Sequence, residues 1–131
     1  MATTVRKIQV SSTVKVDGGP TTAPTVSLEV EAFDSVQSDL PVDSINKEVE
    51  VQPATAGKLL FLLIQSTVYG DDLTYKVDGD TANTVIKLNS PHLFSGTGAL
   101  ELLPAPPNKL IFTNGLTEDV TVTILAGRNA S

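Results

Sequence analysis

Apolar and polar residues alternate with a period of two along most of the chain, and a helical period is nearly absent. Ile8, Val10, Val14 and Val16 share one parity while Lys7, Gln9, Thr13 and Lys15 take the other, which predicts a first strand. Ser12 interrupts the apolar face and marks a bulge or bend. Beyond the loop Gly18-Gly19-Pro20-Thr21-Thr22-Ala23-Pro24, a second strand alternates Val26, Leu28, Val30 and Ala32 against Ser27, Glu29 and Glu31. Residues 34–46, with Asp34, Ser35, Ser38, Asp39, Pro41, Asp43 and Ser44, read as a loop. Val49 and Val51 against Glu48 and Glu50 predict a short strand.

Lys58 to Val68 differs, because its apolar run from Leu59 to Ile64 suits a strand covered on both faces. Either it is the central strand of a sandwich, or one of its faces meets another subunit. Gly70-Asp71-Asp72 turns the chain into Leu73, Tyr75 and Val77, and Asp78-Gly79-Asp80 makes the next turn. Further strands are predicted at Val85–Asn89, Ala99–Leu103, Leu110–Thr113 and Val120–Ala126, the last two as a hairpin around Asn114-Gly115. Pro104-Ala105-Pro106-Pro107-Asn108 cannot donate regularly to a sheet, so it crosses between strands or sheets. The expected fold is all-β: a single antiparallel β-sandwich over residues 1–131, Greek-key or jelly-roll-like, with eight or nine short strands. Residues 1–24 are either an N-terminal arm, able to add a strand to a neighbour's sheet, or the first strand of the sandwich itself.

Composition narrows the function classes. The chain has 131 residues, enough for one domain with a core of its own. It has no cysteine, which excludes a disulfide framework, a thiolate nucleophile and a cysteine-based zinc site. Its formal charge of −6 is spread over both halves with no basic block, so no footprint for a phosphate backbone is visible and direct nucleic-acid binding is not expected. The N-terminal residues lack the apolar stretch of a secretory signal, and the six apolar residues from Leu59 to Ile64 fall far short of the roughly 20 a membrane helix needs. Synthesis in the cytoplasm without a membrane anchor is therefore expected.

Candidate chemistry is sparse. Tyr69-Gly70-Asp71-Asp72 matches the acidic hairpin of RNA-dependent RNA polymerases, but two-metal chemistry needs further converging carboxylates and a template channel. A Gly-Asp turn accounts for it. Asp71, Asp72, Asp78 and Asp80 invite a calcium site at one end of the sandwich, although the EF-hand spacing is missing. Gly96-Thr97-Gly98 has neither a following helix-forming segment nor the Lys-Ser/Thr of a phosphate loop. His92, the single histidine, has no nucleophile elbow to serve, and Asn129-Ala130-Ser131 is a glycosylation sequon with no secretory context. With no Trp, two Tyr and four Phe, the chain lacks the aromatic platforms of glycosidases and carbohydrate-binding modules. No catalytic, cofactor-binding or metal-binding residues are assigned, and no enzyme activity is expected.

From Lys58-Leu59-Leu60-Phe61 through Asn114-Gly115 to Ile124-Leu125-Ala126-Gly127-Arg128-Asn129, the chain resembles small head proteins of tailed bacteriophages. That resemblance implies a β-sandwich or β-barrel, often trimeric, that sits on the outside of a capsid and cements neighbouring major capsid subunits. It implies a virion location and the major capsid protein as partner, and carries over no site residues. A phage tail or fibre module is one alternative, and a carbohydrate- or calcium-dependent ligand-binding sandwich is another.

Overall fold

In the computed structural model, residues 6–51 and 58–129 are described. Twelve strands account for nearly all the regular structure, many of them only two to four residues long. They are β1 (Arg6–Ser11), β2 (Val14–Lys15), β3 (Thr21–Thr22), β4 (Thr25–Val30), β5 (Ala32–Leu40), β6 (Lys47–Glu50), β7 (Lys58–Ser66), β8 (Leu73–Val77), β9 (Ile86–Lys87), β10 (His92–Ser95), β11 (Lys109–Asn114) and β12 (Val120–Asn129). One helical turn, α1 (Thr97–Leu100), interrupts them.

Eight of the strands form two antiparallel sheets, in the orders β10-β7-β12-β5 and β6-β11-β8-β9. From β5 onward the chain crosses between sheets at every connection except β8 to β9. That strand order is an eight-stranded jelly roll. The inner faces follow from parity. Leu62 and Ile64 on β7, Val120, Val122, Ile124 and Ala126 on β12, and Leu40 on β5 meet Leu73, Tyr75 and Val77 on β8 with Leu110 and Phe112 on β11 in one core. Alternation thus places one apolar residue in two on the shared interior and leaves its neighbour outside.

The stretch at 34–46 corrects the loop reading. Ala32–Leu40 is a nine-residue strand, because Ser35, Gln37 and Asp39 face outward while Val36 and Leu40 face in. Its polar composition is that of an edge strand with one hydrogen-bonded neighbour, β12. The predicted strand at Ala99–Leu103 is also corrected. After Gly96, held at φ +94°, the backbone closes one helical turn, with Leu100 N–H bonded to Gly96 O and Glu101 N–H to Thr97 O. That turn begins inside Gly96-Thr97-Gly98 and ends at Leu100, without the Lys-Ser/Thr of a phosphate loop. The proline segment does cross from one sheet to the other, and Val51 N–H closes onto Asn108 O beside it.

Asn114 ends β11 buried at 1% exposure and acts as a bracket. Its Nδ2 donates to Leu40 O, to Pro41 O and to Glu118 O, at 2.9, 3.3 and 3.0 Å, while its Oδ1 accepts from Leu116 N–H at 3.0 Å. Gly115 then packs on Asp72, where an added Cβ would lie 3.0 Å from the carbonyl oxygen. Asn114→Ala strands several desolvated carbonyls and an amide at once, so a loss of about 2–4 kcal/mol is expected. The check is a lower urea midpoint with an unchanged slope.

Candidate docking surface

Residues 6–30 form one long hairpin outside both large sheets. β1 pairs with β4 from Arg6↔Val30 to Ser11↔Thr25, and β2 pairs with β3 at Val14↔Thr22 and Lys15↔Thr21. No bulge falls at Ser12: the register runs unshifted from Ser11↔Thr25 to Val14↔Thr22, with Ser12 N–H bonded to Pro24 O between them. The segment is therefore hydrogen-bonded to itself as a ribbon and is not a strand of either four-stranded sheet. Two strands with their own turn can satisfy each other's backbone locally, so the ribbon needs no sandwich partner for its hydrogen bonds. The first five residues of the predicted arm lie outside the described residues.

The ribbon is amphipathic. Cross-strand partners share a face, which sets Ile8 beside Leu28 and Val10 beside Val26, with Lys7, Gln9, Ser27 and Glu29 on the opposite side. At its root this apolar face sits on the outer face of the β10-β7-β12-β5 sheet. Phe61 and Val30 are buried there apart from the main core. Gly127 makes the seat: a Cβ on it would lie 2.6 Å from Ile8 Cδ1 and 3.1 Å from Val30 Cγ1. Exposure then rises along the ribbon, from Val30 at 1% through Val26 at 39% to Val16 at 53% and Val14 at 58%. Every residue from Ser11 to Ser27 is exposed. A two-stranded ribbon alone is marginal in water, so an exposed apolar face on one is a surface awaiting cover.

Arg128 and Asp34 brace the sheet beside this root. The guanidinium Nη1 bonds the carboxylate Oδ2 with both side chains largely buried, and Arg128 O accepts Glu31 N–H where β4 bends into β5. Composition gives no warning of this pair. Only the register of β12 on β5, with Arg128 opposite Ala32, brings residues so distant in sequence together.

The acidic turns do not converge. Asp71 and Asp72 precede β8 and Asp78 and Asp80 follow it; five strand residues at about 3.3 Å each hold the two pairs at opposite ends of the strand. Asp71 Oδ1 accepts from Asn89 Nδ2, and Asp80 accepts the Thr84 and Ala82 amides. The Thr84 amide foremost holds the Asp80 carboxyl below its usual range. Among the described residues no group of three or more His, Asp or Glu side chains is arranged to hold a metal ion. Tyr69-Gly70-Asp71-Asp72 is a tight turn in which Gly70 N–H bonds Leu88 O and Tyr69 Oη accepts Ser66 N–H.

His92 is bonded to buried Tyr75, with Oη and Nδ1 2.8 Å apart, and stacks edge-on against Phe94. Burial pushes the phenol pKa upward, and the His92 tautomer sets which of Oη and Nδ1 donates. Ser95 is three residues on along the same strand and points to the other face, so it forms no nucleophile–base pair with His92. Burial lowers the His92 pKa below 6.5. The unfolded chain then binds the proton more readily than the folded one, and stability falls as pH drops through 6.5 toward the folded value. In His92→Gln, which offers Tyr75 either a donor or an acceptor, melting temperature is expected to vary less over that window.

Sequence parity could have found the ribbon, since Ile8/Val10 and Val26/Leu28 lie symmetrically about Gly18-Gly19, but strand patterns alone do not say which strands pair. No protein-family model matches the chain, and neither the curated proteins nor the solved structures contain a significant match to it.

Proposed function

We propose that this chain is a non-enzymatic virion structural protein, a capsid decoration protein that binds the outer capsid surface and holds neighbouring major capsid subunits together. The observation that carries this reading is the amphipathic ribbon rooted on Gly127 and Phe61, whose apolar residues run beyond the body into solvent. Its support in fold is by analogy: jelly rolls serve repeatedly as viral capsid and lectin domains. Three features of the sequence agree with an exterior, non-catalytic role. The acidic charge disfavours contact with packaged nucleic acid, the scarcity of aromatic rings disfavours a lectin, and the single histidine is committed to Tyr75. In this reading the partners are the major capsid protein and further copies of the chain, as a trimer.

The test is the copy number of the protein in purified virus particles from its source, by quantitative mass spectrometry against the major capsid protein. A simple ratio to the capsid subunit is the expected result. A handful of copies per particle moves the chain to the tail, and absence from particles overturns the reading.

A further inference from the structure

We infer that the ribbon of one copy docks on the outer sheet face of the next, so that Val14, Val16 and Val26 cover a row formed by Leu93, Leu63 and Leu125. This goes further than the reading above by naming the surface through which copies meet. It rests on the self-association in that reading and not on the capsid.

The row is set by register. Leu93 on β10 lies opposite Leu63 on β7, and Leu63 lies opposite Leu125 on β12. All three point away from the core, Leu93 is 42% exposed and the other two are half-buried. The row lies two residues along the strands from Phe61 and Gly127, where the ribbon's own Ile8 and Val30 are seated. This sheet face therefore already accepts this ribbon face within one chain, and the leucine row continues the same contact. Residues 11–27 of the same chain do not complete it, because all of them are exposed.

Charge favours a second copy as the occupant. Within residues 6–30 three bases (Arg6, Lys7, Lys15) outnumber two acids (Asp17, Glu29), so the acidic excess of a chain with formal charge −6 rests entirely on the remainder. Two acidic bodies brought face to face repel, whereas a ribbon with a slight basic excess laid on an acidic body does not. The contact joins two different surfaces, so it is heterologous and closes a ring when the rotation allows.

Sedimentation equilibrium of the full chain is the test, with Val14→Asp/Val16→Asp and Leu93→Asp as variants. Wild type is expected to be multimeric, and both variants monomeric with melting temperatures near wild type, since the altered residues are exposed. The Cys-free sequence allows a second measurement. On thiol oxidation, a Val16→Cys/Leu93→Cys chain is expected to give covalent multimers, while each single variant does not. A monomeric wild type overturns the inference, as does a Val14→Asp/Val16→Asp chain that keeps the wild-type mass. Cross-linking by Leu93→Cys alone overturns it in favour of a face-to-face contact. None of these outcomes depends on the particle copy number, so the two readings fail separately.

Discussion

Leu62→Asp/Ile64→Asp is expected to abolish folding. Both side chains are fully buried on the inner face of β7, which lies between β10 and β12 in the middle of its sheet. Two carboxylates placed there lie among aliphatic and aromatic groups, with the His92 imidazole opposite position 64 as a titratable neighbour. Each must either stay ionised at a cost of several kcal/mol or take up a proton at neutral pH, and together they exceed the roughly 5–15 kcal/mol by which a domain is stable. Leu63→Asp is the internal control. Leu63 lies between them in sequence but points outward and is only half-buried, so this variant is expected to fold. Circular dichroism and thermal melting decide the matter. A cooperative melt near wild type for the double variant would refute the assignment of β7 to the core.

Asp34→Ala is expected to cost about 3–5 kcal/mol, because it leaves Arg128 with an unpaired charge in a largely buried setting. The side chains are 7% and 16% exposed, which separates this pair from Lys109–Glu48, at 32% and 61%, where little is at stake. Removing both charges is a different experiment. Asp34→Leu/Arg128→Met keeps volume and discards the desolvation cost, so it is expected to lie close to wild type or above it. Urea titrations of Asp34→Leu, Arg128→Met and the double variant supply the cycle. Equal losses in Asp34→Ala and in the double variant would mean that the pair itself, and not the stranded arginine, carries the stability. The Asp34–Arg128 contribution is also expected to survive high salt, since burial limits screening.

The strands of the body were largely legible because alternation is strict where one face is buried. Leu73-Thr74-Tyr75-Lys76-Val77 announces itself in this way. Ala32–Leu40 did not, because an edge strand tolerates Asp, Ser and Gln that also favour turns, and its strand character comes from nine residues of pairing with β12. Ala99–Leu103 misled in the other direction. Its apolar residues are those of a strand, but Gly96 at positive φ closes one helical turn that caps the end of the core with Leu100 and Leu103. Asn114-Gly115 was readable as a turn signal, whereas the role of Asn114 as a bracket for Leu40, Pro41 and Glu118 depends on partners up to 74 residues away.

By itself the sequence determined the class of the protein: an all-β, cysteine-free, acidic sandwich with turns at its Gly-Asp and Pro-rich stretches. It could do so because period-two burial and turn chemistry are local properties of a chain. Tertiary structure alone decided the jelly-roll strand order, the self-pairing of residues 6–30 into a ribbon and the seat of that ribbon on Gly127. It also placed the leucine row of three different strands side by side on the outer face. Those are pairings between distant segments, and alternation is satisfied equally well by many of them; a single register is selected only when side chains from both sheets must fill one interior together.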